Sequence, residues 1–111
     1  NKQTDPDLPS LISKSANNGD QISKEALTIW LSAYGSTVGD LAIHELCESG
    51  LWIGGGTASK QIKGLCSNIF LKAMHNKGRF SKFTEDLPVM AITDPEAGMF
   101  AAACRAHLLD E

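Results

Sequence analysis

Apolar residues recur at steps of three and four along Leu27, Trp30, Leu31, Tyr34, Val38, Leu41, Ala42 and Leu46. That spacing gathers them on one face of a helix, whereas a strand would send alternate residues to opposite faces. It predicts a long helix, capped by Asp20 or Ser23 and ending at Cys47 or Glu48. Upstream, Leu8 to Ala16 predicts a short helix, with Pro9 in its first turn and Asn17-Asn18-Gly19 as its stop. Gly35 and Gly39 lie inside the long helix, where each costs about 1 kcal/mol relative to alanine. Four residues apart, they share a face, and close approach of a neighbouring helix or strand is the simplest compensation. A ligand lying against that face is the other reading.

The period changes at Gly50. Leu51-Trp52-Ile53 is a compact apolar run of the kind that forms a buried parallel strand, and three glycines follow it directly. From Ala58 or Ser59 to Asn76 the pattern predicts helix, interrupted near Gly64 or Cys66, with Ile69, Phe70 and Ala73 facing inward. Gly78 is placed to close that helix as a left-handed C′ residue, with Lys77 suited to the negative end of the dipole. A helical turn at Ser81 to Thr84 precedes a second strand, Val89 to Ile92, and Asp94-Pro95-Glu96 turns the chain into a last helix, Gly98 to Leu109. Met99, Phe100, Ala102, Ala103, Ala106 and Leu109 are too many for one narrow stripe, so this helix is expected to be buried on more than one side. Two short strands bury too little to make a self-sufficient sheet. The fold class expected is therefore α/β, a helix-rich piece with an incomplete sheet.

Composition narrows the classes. At 111 residues there is room for one domain, and 42% hydrophobic with 21% charged residues is ordinary for a globular protein. The net charge of −3, with no basic stripe, argues against nucleic acid as a partner. The longest apolar run, Met99 to Cys104, is far too short to span a bilayer, so no membrane partner is expected. The opening Asn1-Lys2-Gln3-Thr4-Asp5-Pro6-Asp7 lacks the pattern of a signal peptide and reads as a chain cut out of something longer. Cys47, Cys66 and Cys104 are odd in number and widely spaced, which predicts reduced cysteines acting as small buried hydrophobes in a cytoplasmic protein.

Candidate chemistry centres on Gly54-Gly55-Gly56-Thr57. A strand that runs through glycines into a helix start presents backbone N–H donors with no side chain in the way, which suits phosphate or ribose. It is neither the dinucleotide-binding glycine pattern nor a phosphate loop with Gly-Lys-Ser or Gly-Lys-Thr. Nucleotide contact and a plain tight turn both remain open. Asp40, His44 and Glu48 are spaced by four and could orient an imidazole, or simply be surface pairs. His44, His75 and His107 are too far apart for a zinc motif, so no metal site is expected. Lys77-Gly78-Arg79-Phe80 could hold an anion, although helix capping accounts for it more simply. Asp94 and Glu96 fit a turn, and no pair of catalytic carboxylates stands out.

Taken in order, Leu41-Ala42, then Leu51-Trp52-Ile53-Gly54-Gly55-Gly56-Thr57-Ala58-Ser59-Lys60, then Phe70-Leu71-Lys72-Ala73 with Asn76-Lys77-Gly78-Arg79-Phe80, Leu87-Pro88-Val89 and Asp94-Pro95-Glu96-Ala97-Gly98 resemble the C-terminal region of bacterial-type glucokinases. The resemblance runs from about Pro9 to the end. It implies the actin-like ATPase architecture of the ribonuclease H-like class, with residues 1–111 forming a partial C-terminal domain. It also implies that Gly55 and Gly56 are the adenosine-binding glycine pair and that Thr57 and Ala58 lead into the next helix. With Gly54, these are the nucleotide-binding candidates. The family often has proline at the position of Ser59 and an apolar residue at that of Gln61. The parent would take ATP with Mg²⁺ and phosphorylate glucose to glucose 6-phosphate. Its catalytic base, phosphate loops and sugar ligands match nothing here, so no catalytic or substrate-binding residue is assigned and the isolated chain is expected to be inactive. Residues 98–111 are expected to pack on the missing N-terminal domain, and left uncovered they should drive homo-oligomerisation. The alternatives are a noncatalytic interaction or regulatory domain of the same architecture and a kinase for another hexose.

Overall fold

The computed structural model describes residues 8–110, so the opening seven residues, and whatever the sequence suggests for them, lie outside it. Helix α1 is Leu8–Asn17 and helix α2 is Gln21–Glu45, with Gly19 at φ 98° between them. Asp20 is the cap of α2. Its carboxylate accepts from the Ser23 backbone N–H at 2.8 Å, meeting one of the donors that a helix start leaves without a carbonyl.

Strand β1 (Leu51–Ile53) and strand β2 (Val89–Ala91) pair in parallel, Leu51 with Val89, Trp52 with Met90 and Ile53 with Ala91. Between them the chain makes helices α3 (Gly56–Lys60), α4 (Ile62–Leu65) and α5 (Asn68–His75), a 3₁₀ turn at Gly78–Phe80, and helix α6 (Ser81–Asp86). Helix α7 is Ala97–Asp110. The predicted helix over 58–76 is thus three pieces, broken at Gln61 as well as at Cys66-Ser67.

The core lies where α2 and α5 cross. Leu31, Val38 and Ala42 of α2 are buried, as are Phe70 and Met74 of α5, and Tyr34 meets Phe70 edge-on at 5.8 Å between ring centroids. The crossing is close because Gly35 and Gly39 have no side chains. A Cβ at Gly35 would overlap the carbonyl of Phe70, and one at Gly39 the carbonyl of Met74. Packing therefore occupies the glycine face of α2 and leaves no room there for a ligand.

Several inward assignments change. Ile69 is exposed, and the inner side of α5 is Phe70 and Met74, four apart. Leu41 is 53% exposed, because α2 meets neighbours along a stripe narrower than its apolar pattern, and Leu46, 63% exposed, lies past the end of α2 as its left-handed cap at φ 49°. Trp52 is 66% exposed: β1 buries Ile53 against the helices while its other face has no cover among the described residues. Helix α7 is exposed from Gly98 onward, so the burial expected for it does not occur within this chain. Cys66 and Cys104 are exposed too, correcting the expectation of buried cysteines, and all three cysteines are free. Among the described residues no helix is long and apolar enough to cross a membrane.

Gly78 does not close α5. That helix ends at His75 with Asn76 as its cap, and Gly78, at φ 56°, opens the 3₁₀ turn. Lys77 serves α2 instead of the dipole of its own helix. Its ammonium donates to the Ser36 carbonyl at 2.9 Å and to the Asp40 carboxylate at 2.6 Å, holding the two helices together.

Candidate functional site

Strand β1 ends at Ile53, buried in the core, and the chain leaves it at the carboxyl edge of the sheet through Gly54, Gly55 and Gly56. Each glycine answers to a different demand. At Gly54 a Cβ would come within 3.2 Å of Ile92 Cδ1, a contact that a small shift of the isoleucine relieves. Gly55 has φ 104° and ψ 173°, a backbone state that essentially only glycine adopts without strain, so the turn itself requires it. Gly56 opens α3 with no positive φ, and a Cβ there would meet no atom within 4 Å. Neither the backbone nor the packing of this chain calls for glycine at Gly56.

Thr57 is exposed beside it, and Ala58 is wholly buried in the core, so Ala58 offers a ligand no side-chain surface. The first helical bond of α3 runs from the Ser59 N–H to the Gly55 carbonyl at 3.3 Å, so the N–H groups of Gly56, Thr57 and Ala58 precede any carbonyl of the helix. These five residues stand together at one turn, as their spacing suggested. The spacing could not show that α1 stands opposite them. Gln61, at the joint between α3 and α4, donates its side-chain amide to Ser13 Oγ at 2.6 Å, and a pocket of about 310 Å³ opens between the two helices, lined by Ser10, Gly56, Thr57, Lys60 and Gln61. Forty-eight positions separate Gln61 from Ser13, and neither residue carries a sequence signal that points to the other.

The other candidates do not assemble into a site. His44 Nδ1 lies 2.8 Å from Glu45 Oε1, both exposed, while Asp40 is engaged by Lys77 and Glu48 lies beyond the end of α2. The Asp94 carboxylate accepts the Glu96 N–H at 2.9 Å, a turn of the usual Asx kind. Arg79 lies over the Phe80 ring, 5.1 Å from its centroid. Among the described residues no group of three or more His, Cys, Asp or Glu side chains could hold a metal ion.

Fold and turn define a class before they define a family: a helix-rich α/β chain with a solvent-open glycine turn at the carboxyl end of a parallel strand, the edge at which open α/β sheets bind their ligands. A family model described as Glucokinase matches residues 1–109, and the chain belongs to that family. It is 37% identical over 99 residues to a glucokinase of Trichormus variabilis, covering 87% of this chain and 29% of that protein. It is 33% identical over 103 residues to one from Synechocystis sp., covering 91% of this chain and 29% of the relative. A glucokinase of Xanthomonas euvesicatoria pv. vesicatoria is 29% identical over 101 residues, with 91% and 30% covered. The chain thus spans under a third of the length of these relatives. No solved structure matches it.

Proposed function

We propose that this chain is the C-terminal portion of an ATP-dependent glucokinase, in which it forms one wall of the nucleotide cleft and carries none of the groups that transfer phosphate. Gly56 is the observation that supports this reading. The tight-turn explanation accounts for Gly55, yet at Gly56 the backbone is ordinary and its surroundings are open, which leaves the space beside it free for an approaching molecule. The N–H groups of Gly56, Thr57 and Ala58 precede the first helical bond of α3, Gly56 and Thr57 line the pocket beside it, and in a closed cleft backbone donors of this kind favour the ribose and phosphates of a nucleotide.

Phosphoryl transfer is chiefly positioning and charge stabilisation, and in the parent a carboxylate would accept the sugar hydroxyl's proton while Mg²⁺ would offset the phosphate charge. The base, the phosphate loops and the sugar ligands belong to the longer chain, as does the rest of the sheet in an actin-like ATPase architecture. This reading implies a cytoplasmic enzyme and an isolated chain without turnover.

Gly56→Val in the full-length parent tests it, and is cleaner than a change at Gly55 because Gly56 can carry a side chain without straining the turn. The KM for ATP should rise at least about tenfold with the KM for glucose nearly unchanged, the sign that nucleotide binding alone has been weakened. A folded variant with an unaltered ATP KM refutes the assignment.

A further inference from the structure

We infer that Gln61 reads the base of the nucleotide, favouring adenine over guanine, and that α1 forms the second wall of its pocket. This rests on the nucleotide reading of the glycine turn and adds to it a residue that the turn does not contain. The pocket between α1 and α3, about 310 Å³, is at the lower end of the range for small-molecule sites, about 300–1,000 Å³. Gly56 and Thr57 lie on one side of it and Ser10 on the other, with Lys60 and Gln61 completing the lining. A nucleotide whose sugar and phosphates lie along the Gly56 backbone has this pocket as the adjoining space for its base.

The Gln61 amide is oriented with its nitrogen toward Ser13. Its amide nitrogen donates to Ser13 Oγ at 2.6 Å, which leaves the amide oxygen as an acceptor for a ligand. Adenine carries an exocyclic amine, a donor, where guanine carries a carbonyl, an acceptor. The amide oxygen therefore pairs with the first and opposes the second, and a site that leaves two acceptors facing each other loses affinity for the wrong base. Ser13 acts through Gln61 as a positioning residue: without it the amide is free to turn and offer its NH₂ to either base.

The experiment compares ATP and GTP as phosphate donors in the full-length parent, with each variant's fold checked by circular dichroism. Gln61→Leu should lower the ATP-over-GTP ratio of kcat/KM by about tenfold, the worth of one hydrogen bond gained or opposed, while Gln61→Glu, which keeps an acceptor, should preserve the preference. Ser13→Ala should also lower the ratio, and it carries the test if Gln61→Leu does not fold. If Gln61 only ties α1 to α3, its loss changes both donors by the same factor, and that result overturns the proposal. The Gly56→Val result separates the two ideas: a raised ATP KM there with unchanged base selectivity in the Gln61 and Ser13 variants sinks the base reading alone, and no response in any variant sinks both.

Discussion

Glycine and alanine differ by one methyl group, and at Gly35 that difference has two opposing effects. Alanine favours the helix by about 1 kcal/mol, but its Cβ would overlap the backbone carbonyl of Phe70, which cannot rotate away as a side-chain end would. Overpacking a fixed neighbour costs about 3 kcal/mol, at the upper end of its usual range, so Gly35→Ala should destabilise the chain by about 2 kcal/mol net. Gly98→Ala, in α7 with no atom near its Cβ, should be neutral or slightly stabilising, and urea unfolding of the two variants measures the contrast. The role of Gly35 and Gly39 was legible in the sequence because two glycines four apart in a helix demand a compensation. Gln61 was not, since a glutamine at a helix joint becomes informative only when Ser13 is found across from it.

The helices differ in what holds them. Helix α2 begins at Asp20, whose carboxyl is held below its usual value by its bonds to Ser23, side chain first and backbone second. A carboxylate depressed in the folded state adds stability above its unfolded pKa and loses it as pH falls through the folded one. Asp20→Asn should therefore be as stable as the parent chain in acid yet less stable near neutrality, so its thermal midpoint falls less on acidification. An equal acid loss in both proteins refutes the electrostatic part of the cap. Periodicity found α2 and both strands, because a repeat of three to four or a short apolar run states its geometry locally. It overstated the buried face at Leu41, and took Trp52 as buried, because cover depends on what is packed alongside and not on the repeat itself.

At the scale of the molecule, one face of β1 and the apolar side chains of α7 are uncovered among the described residues. Met99, Phe100, Leu108 and Leu109 are all largely exposed on that helix, a patch that soluble chains seldom leave in water. The isolated chain should therefore self-associate in sedimentation velocity, and Phe100→Ser with Leu108→Ser should return it to monomer. A wild-type chain that stays monomeric at high concentration contradicts this. We propose that in the parent the missing N-terminal domain covers residues 98–111.

The bond from Lys77 to Ser36 joins positions 41 residues apart. During synthesis at about 5–20 residues per second, Ser36 of α2 leaves the ribosome roughly two to eight seconds before the lysine that fastens it. For that interval its glycine-lined groove is open to whatever the nascent chain meets, and the order of translation, not the strength of the finished contact, decides how long it waits.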